Sequence, residues 1–227
     1  AFIVGAAPLN ADVINSYKTL GIRSIQGYGL TECSPLVAGN NDFYLKPDAV
    51  GLPIPNVSYK ISNPDDTGVG EILVKGPNVM LGYYKDEEAT KKSIVDGWFH
   101  TGDLGRIDED GWLYITGRLK TVIVTQNGKN IYPEEIEHYL NENPLISESL
   151  VTGLSDSADD DVYVNAQILP DLDAIKEHLK TSVPQKEEIF AVIKDIVSSV
   201  NKKLPNYKHI KSFIIRNDEF EKTTTQK

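Results

Sequence analysis

Between residues 47 and 118 the chain never sustains a regular pattern for long. Short strand-like segments at 57–61, 71–75, 104–107 and 112–116 are cut by turn sequences such as Asn63-Pro64-Asp65-Asp66-Thr67-Gly68 and Asp108-Glu109-Asp110-Gly111. Segments this short, joined by turns this tight, pair as antiparallel hairpins, because a parallel crossover needs a dozen or more residues. The pattern predicts a small antiparallel sheet or open barrel, interrupted by one short helix at about 87–94.

The flanks read differently. Phe2, Ile3 and Val4 look like a short buried strand, and Asn10 can cap a helix over 11–20 that carries Val13, Ile14, Tyr17 and Leu20 on one face and ends at Gly21. A second strand follows at 22–26, so the chain opens on a strand–helix–strand unit of the α/β kind. After Lys120 helices and strands mix again. Pro133 starts a helix over 134–140, strands fall near 150–154 and 162–169, and an amphipathic helix over 186–203 aligns Ile189, Ile193, Ile196, Val197 and Val200 before a last strand at 210–214. The expected fold class is α/β and α+β: the end of an α/β sheet plus a small antiparallel β-barrel-like subdomain in residues 1–119, then a small α+β domain in 120–227. Because the sequence opens on an apolar run without methionine, the first part is expected to belong to a larger domain and to expose apolar surface.

Composition removes several functional classes. A net charge of −10 argues against a nucleic-acid partner, and no apolar run approaches a membrane span. One cysteine and four histidines leave no disulfide framework and no zinc pattern. A cytoplasmic protein is expected, with peripheral membrane contact left open. The last 27 residues nevertheless hold seven basic against three acidic side chains, which raises the question of which anion they meet.

The common phosphate-loop, dinucleotide, serine-elbow and zinc-helix motifs are absent. Asp108-Glu109-Asp110-Gly111 matches a calcium loop only in part, since Arg106 stands where the first acid belongs, and it reads as a hairpin turn. Nothing in the sequence brings Cys33 to His100 as a nucleophile pair, so Cys33 reads as a small semi-buried residue. Gln26-Gly27-Tyr28-Gly29-Leu30-Thr31-Glu32 is richer. Glycines there can admit a ligand close to the backbone or take positive φ, Tyr28 offers a stacking face, Thr31 a hydroxyl for a phosphate, and Glu32 a ligand for a hard cation. Asp103 and Arg118 add a carboxylate and a guanidinium near turns.

That motif, Gly70-Glu71-Ile72-Leu73-Val74-Lys75-Gly76-Pro77, Trp98-Phe99-His100-Thr101-Gly102-Asp103-Leu104-Gly105, Gly117-Arg118 and Asn127-Gly128-Lys129-Asn130-Ile131-Tyr132-Pro133-Glu134-Glu135-Ile136-Glu137 occur in an order and at spacings that resemble the acyl-adenylate-forming, AMP-binding superfamily. The ending Lys222-Thr223-Thr224-Thr225-Gln226-Lys227 is most similar to long-chain fatty-acid–CoA ligases. The resemblance implies activation of a carboxylic acid by ATP to acyl-AMP, then transfer to coenzyme A. It implies that Tyr28 stacks on adenine, with Gln26, Gly27 and Gly29 around it and Gly5, Ala6, Ala7 and Pro8 lining the same pocket. Thr31 would contact the α-phosphate and Glu32 would bind Mg2+. Asp103 would hold the ribose, Arg118 would support the same sugar or the phosphate, Gly128 would admit the pantetheine arm of coenzyme A, and Lys227 would bridge the acid and the α-phosphate. Lys120 would be the hinge between the end of a large AMP-binding domain and a small mobile one. The family's phosphate loop has no counterpart in these residues, so the chain is expected to be the C-terminal portion of such an enzyme, inactive without its N-terminal part. Ligases for aryl, short-chain or amino acids, or a non-catalytic nucleotide-binding relative, remain as alternatives.

Overall fold

The computed structural model describes residues 2–5, 11–40, 45–46, 48–155 and 162–221. The chain divides into two compact units, Ala1–Lys120 and Thr121–Lys227. The first begins with β1 (Phe2–Val4), α1 (Ala11–Thr19), β2 (Ser24–Gly29), β3 (Leu36–Gly39) and β4 (Leu52–Pro53). These strands form one sheet in that order, β1 parallel to β2 and the rest antiparallel. Helix α1 ends as its sequence asks. Gly21 takes φ 72°, its N–H donates to the Lys18 carbonyl, and the Ile22 N–H reaches back to the Tyr17 carbonyl, the paired closure of a glycine-terminated helix. Asn10, the expected cap at the other end, lies outside the described residues.

β1 is a strand but not a buried one. It is the edge of its sheet, and Phe2 and Ile3 are 56% and 82% exposed. Ile14 of α1 is buried, while Val13, Tyr17 and Leu20 face outward. The apolar surface expected on this part of the chain is therefore present.

The second sheet of this unit comprises β5 (Ser58–Ser62), β6 (Gly70–Lys75), β7 (Ile94–Val95), β8 (Trp98–Ile107) and β9 (Leu113–Arg118), with α2 (Glu87–Ser93) leading into β7. All its pairings are antiparallel, in the order β5-β6-β8-β7 with β9 on the other part of β8. Here the sequence reading needs correction. The strand expected at 104–107 begins six residues earlier, so Trp98 to Asp103 lie in a strand rather than near a turn. The chain accommodates this by a shift of register against β6, described below. Ile72, Val74, Phe99, Leu113, Val37 and Cys33 close the core under these strands.

The second unit contains the hairpin β10 (Ile123–Val124) and β11 (Asn130–Ile131), α3 (Pro133–Asn141), β12 (Ile146–Ser155), β13 (Val162–Pro170), α4 (Leu172–Leu179), α5 (Lys186–Lys203) and β14 (Ile210–Ile215). β12 and β13 are antiparallel and β14 runs parallel to β13. Helix α3 packs on β12 and α5, and α5 packs on β14. Ile193, Ile196, Val197 and Val200 of α5 are buried with Ile136, Leu140 and Ile168, as the apolar stripe requires, and Ile189 packs at their margin. The sequence reading missed α4. Its signal was Asp171, whose carboxylate accepts the N–H groups of Asp173 and Ala174 at 3.0 Å and caps the first turn.

Candidate functional site

Three candidate residues from three separate motifs meet in the first unit. On β2 the buried face carries Ser24, Gln26 and Tyr28 in alternation. The Tyr28 hydroxyl donates to Asp103 Oδ2 at 2.7 Å. Burial, and then the Asp103 charge, push that hydroxyl far above the ordinary phenol range, so it remains a donor. Asp103 is only 5% exposed. The β8–β9 register sets it directly opposite Arg118, whose Nε lies 3.0 Å from Oδ1 while most of its side chain faces solvent. In these contacts Oδ2 accepts one hydrogen bond and Oδ1 faces one guanidinium nitrogen, where each oxygen can accept two. A fixed, desolvated carboxylate with acceptor capacity left is suited to grip a pair of neighbouring hydroxyl groups.

The glycines beside Tyr28 serve the chain itself. Neither Gly27 nor Gly29 has positive φ. A Cβ on Gly29 would lie 2.0 Å from the Pro35 carbonyl oxygen, which the Leu30 N–H also binds at 2.8 Å, so this glycine is required by the tight return from β2 to β3. A Cβ on Gly27 would touch Leu36 Cδ1 at 3.0 Å. Gly5 adjoins the same strand, where its Cβ would stand 3.7 Å from the Gly27 carbonyl oxygen. Gln26 is buried, its carbonyl accepting the Asn40 N–H and its Oε1 without a partner among the described residues. Ala6, Ala7, Pro8 and Lys227 lie outside the described residues.

Thr31 and Glu32 stand in a single 3-10 turn, Thr31–Cys33, closed by Ser34 in the left-handed region at φ 54°. The loop after β6 clasps this turn. Asn78 Nδ2 donates to the carbonyls of Cys33 and Leu36 at 3.1 and 2.8 Å, and the Met80 N–H donates to the Glu32 carbonyl at 2.8 Å. Tyr83, which the sequence reading did not single out, donates its hydroxyl to Glu32 Oε1 at 3.0 Å, and its own N–H is held by Thr90 Oγ1 at 2.9 Å. Among the described residues no three His, Cys, Asp or Glu side chains gather to hold a metal. A lone hard carboxylate such as Glu32 suits an ion that takes its remaining ligands from water and from substrate phosphates, which is how Mg2+ is usually held. Cys33 is fully buried and its thiol is pushed up to about 11, while His100 pairs with Glu71, so the two form no nucleophile pair.

In the second unit Gly128 occupies the tip of the β10–β11 hairpin. Its φ is 72°, its N–H donates to the Thr125 carbonyl at 2.8 Å, and beyond its chain neighbours no atom of the described residues stands within 4 Å of where a Cβ would project. Here positive φ, not crowding, asks for glycine, and the space above the backbone is open.

Comparison with known proteins fits these observations. Residues 1–84 match the family model for AMP-binding enzymes, and residues 120–227 match that for the AMP-binding enzyme C-terminal domain. The long-chain-fatty-acid–CoA ligase FadD15 of Mycobacterium bovis is 46% identical over 153 residues, 67% of this chain and 25% of the relative. The long-chain-fatty-acid–CoA ligase of Salmonella typhimurium is 43% identical over 143 residues, 60% of this chain and 25% of that protein. The chain thus spans about a quarter of the length of these curated relatives. Among solved structures, ATP-bound MatB from Rhodopseudomonas palustris superposes with a TM-score of 0.80 at 32% identity, covering 99% of this chain and 43% of that one. O-succinylbenzoate coenzyme A synthetase from Bacillus subtilis, in complex with ATP and magnesium ion, gives a TM-score of 0.80 at 27% identity, covering 99% and 44%. The ordered motifs, the Tyr28–Asp103–Arg118 meeting and both family models agree, and the chain belongs to the AMP-binding enzyme family.

Proposed function

We propose that this chain is the C-terminal portion of an AMP-forming long-chain fatty-acid–CoA ligase. In the first step an oxygen of the acid's carboxylate attacks the α-phosphorus of ATP, forming acyl-AMP and expelling pyrophosphate. In the second the thiolate of coenzyme A attacks the acyl carbon and AMP leaves. Residues 1–119 form the end of the large nucleotide-binding domain, 120–227 form the small mobile domain, and Lys120 is the hinge. The observation that carries the reading is the convergence of Tyr28, Asp103 and Arg118, joined by one hydrogen bond and one ion pair. The identity to long-chain ligases supports the acid class.

In this reading Asp103 accepts the ribose hydroxyls, with Tyr28 and Arg118 fixing its two oxygens. The ring of Tyr28 flanks the adenine within the segment from Gln26 to Gly29 and beside that of Gly5, Ala6, Ala7 and Pro8. Thr31 donates to the α-phosphate. Glu32 would hold Mg2+ with the ATP phosphates, and that ion, when bound, would offset negative charge gathering at the α-phosphate. Lys227 brings an ammonium to the same charge as the carboxylate approaches. Gly128 leaves room for the pantetheine arm in the thioester-forming step. No helix among the described residues is long and apolar enough to cross a membrane, and cytoplasmic placement belongs to the same proposal.

The test is fatty-acid-dependent release of pyrophosphate from ATP by the full-length protein that carries this chain. The 227-residue chain alone is expected to release none, because none of its segments supplies the phosphate loop. Lys227→Ala in the full-length enzyme should slow adenylation by about 100-fold while thioester formation from supplied acyl-AMP changes little. Equal loss in both steps, or pyrophosphate release by the chain alone, would sink the reading.

A further inference from the structure

Asp103 reaches its buried position through an irregularity in the sheet. Along β6 and β8, Glu71 is paired with Leu104 and Leu73 with His100. One residue of β6, Ile72, therefore faces three of β8: Thr101, Gly102 and Asp103. Such a bulge turns a side chain away from the face that alternation alone would give it. Gly102 makes the turn possible at φ 69°.

The bulge is held from both ends. Thr101 Oγ1 donates to the Ile72 carbonyl at 2.8 Å and accepts the Asp103 N–H at 3.0 Å. The Leu119 N–H donates to the Gly102 carbonyl at 2.8 Å. Glu71 supplies the remaining restraint with both of its oxygens. Oε1 accepts the Gly102 N–H at 3.1 Å, and Oε2 lies within hydrogen-bond distance of His100 Nδ1, at 2.8 Å. The Glu71 carboxylate is 18% exposed, so it is well shielded from the solvent that would weaken these bonds.

We infer that Glu71 is a positioning residue for the nucleotide: by gripping His100 and the Gly102 N–H it fixes the bulge that aims Asp103 at the ribose. The inference rests on the proposed function, since it takes Asp103 as the ribose ligand. A carboxylate that must meet two hydroxyl groups at once tolerates little misplacement, and a shift of about 1 Å in such a group can cost a hundredfold.

The experiment compares ATP with 2′,3′-dideoxy-ATP as substrates of the full-length enzyme, in the parent and in Asp103→Ala, Glu71→Ala and Glu71→Gln. The ratio of kcat/KM for the two nucleotides reports ribose recognition, and the melting temperature reports folding. Asp103→Ala is expected to collapse the ratio. Glu71→Ala should lower it by about tenfold, chiefly through KM for ATP with kcat within about twofold. Glu71→Gln keeps an acceptor for the Gly102 N–H and should recover part of the loss, which also keeps the test decisive should Glu71→Ala fail to fold. If Asp103→Ala collapses the ratio while the Glu71 variants keep the parental one, the inference is overturned and the proposed function stands. A Glu71 variant that slows both nucleotides equally with a lower melting temperature also overturns it, leaving Glu71 a purely structural residue. If Asp103→Ala itself leaves the ratio unchanged, the ribose reading falls and takes the inference with it.

Discussion

Asp103 and Asp108 belong to the same hairpin, and each has a tyrosine hydroxyl and a basic side chain for company. Their surroundings differ in one respect that matters. Asp108 Oδ1 accepts the N–H groups of Asp110 and Trp112 at 3.0 and 2.8 Å, and Oδ2 accepts Lys46 Nζ and the Tyr114 hydroxyl at 2.7 and 3.1 Å. All four acceptor positions are taken by the chain itself. Lys46 also binds Asp110 at 2.9 Å, so an ammonium stands where the partial calcium motif suggested a cation. Asp103 is more deeply buried, yet its described contacts use half of its capacity. A carboxylate with every lone pair satisfied is a staple, whereas a fixed one with lone pairs left is a place for a ligand. Charge and burial alone do not separate the two cases.

The comparison can be broken by substitution at matched positions of the full-length enzyme. Asp103→Asn should have the largest effect, lowering kcat/KM for ATP by about 100-fold, since an interaction with a charged group in a desolvated site is lost. Tyr28→Phe should follow at about tenfold, because a buried bond to a charged acceptor is typically worth about 1.5–3 kcal/mol and only part of it bears on the ligand. Asp108→Asn should leave ATP kinetics within about twofold and act on acid stability instead. Lys46, with the turn's N–H groups, holds the Asp108 carboxyl down to about 2 from its usual 3.8. A carboxyl lowered on folding contributes stability that is complete above its unfolded value and is lost as pH falls from about 4 to about 2. The variant should therefore show a flatter fall in melting temperature across that window. Tyr114→Phe should be the mildest, with kinetics unchanged and a small loss of melting temperature. An ATP defect in Asp108→Asn as large as that in Asp103→Asn would erase the distinction.

Much of the fold was legible because its signals are local. The stripe on α5 follows from a repeat of 3.6 residues, the end of α1 from Gly21, and the start of α3 from Pro133. The β5–β6 and β8–β9 hairpins followed from turns too short for a parallel crossover, whereas the pairing of β6 with β8 spans a longer connection that holds α2. What escaped was non-local. The bulge in β8 exists only because β6 lies beside it, so the Trp98 to Asp103 segment read as near a turn when it is a strand under restraint. The burial expected of Phe2 and Ile3 failed for a related reason, since an apolar strand announces a partner surface but cannot say whether one is there. In the candidate site, Tyr28, Asp103, Arg118 and Glu32 were nameable from their motifs. Tyr83 was not, because its bond to Glu32 spans 51 positions of sequence.

By itself, then, the sequence determined the residue types that matter and the local elements that carry them, because capping, periodicity and turn chemistry act over a few residues. Tertiary structure decided what each of those residues is for. It assigned Gly29 to a close approach within its own hairpin and Gly128 to an open turn, although both are glycines in family motifs. It closed Asp108 with its own turn and Lys46 and, among the described residues, gave Asp103 only Tyr28 and Arg118, because hydrogen-bond capacity is consumed by whatever the fold brings near, and that depends on partners far apart in the chain.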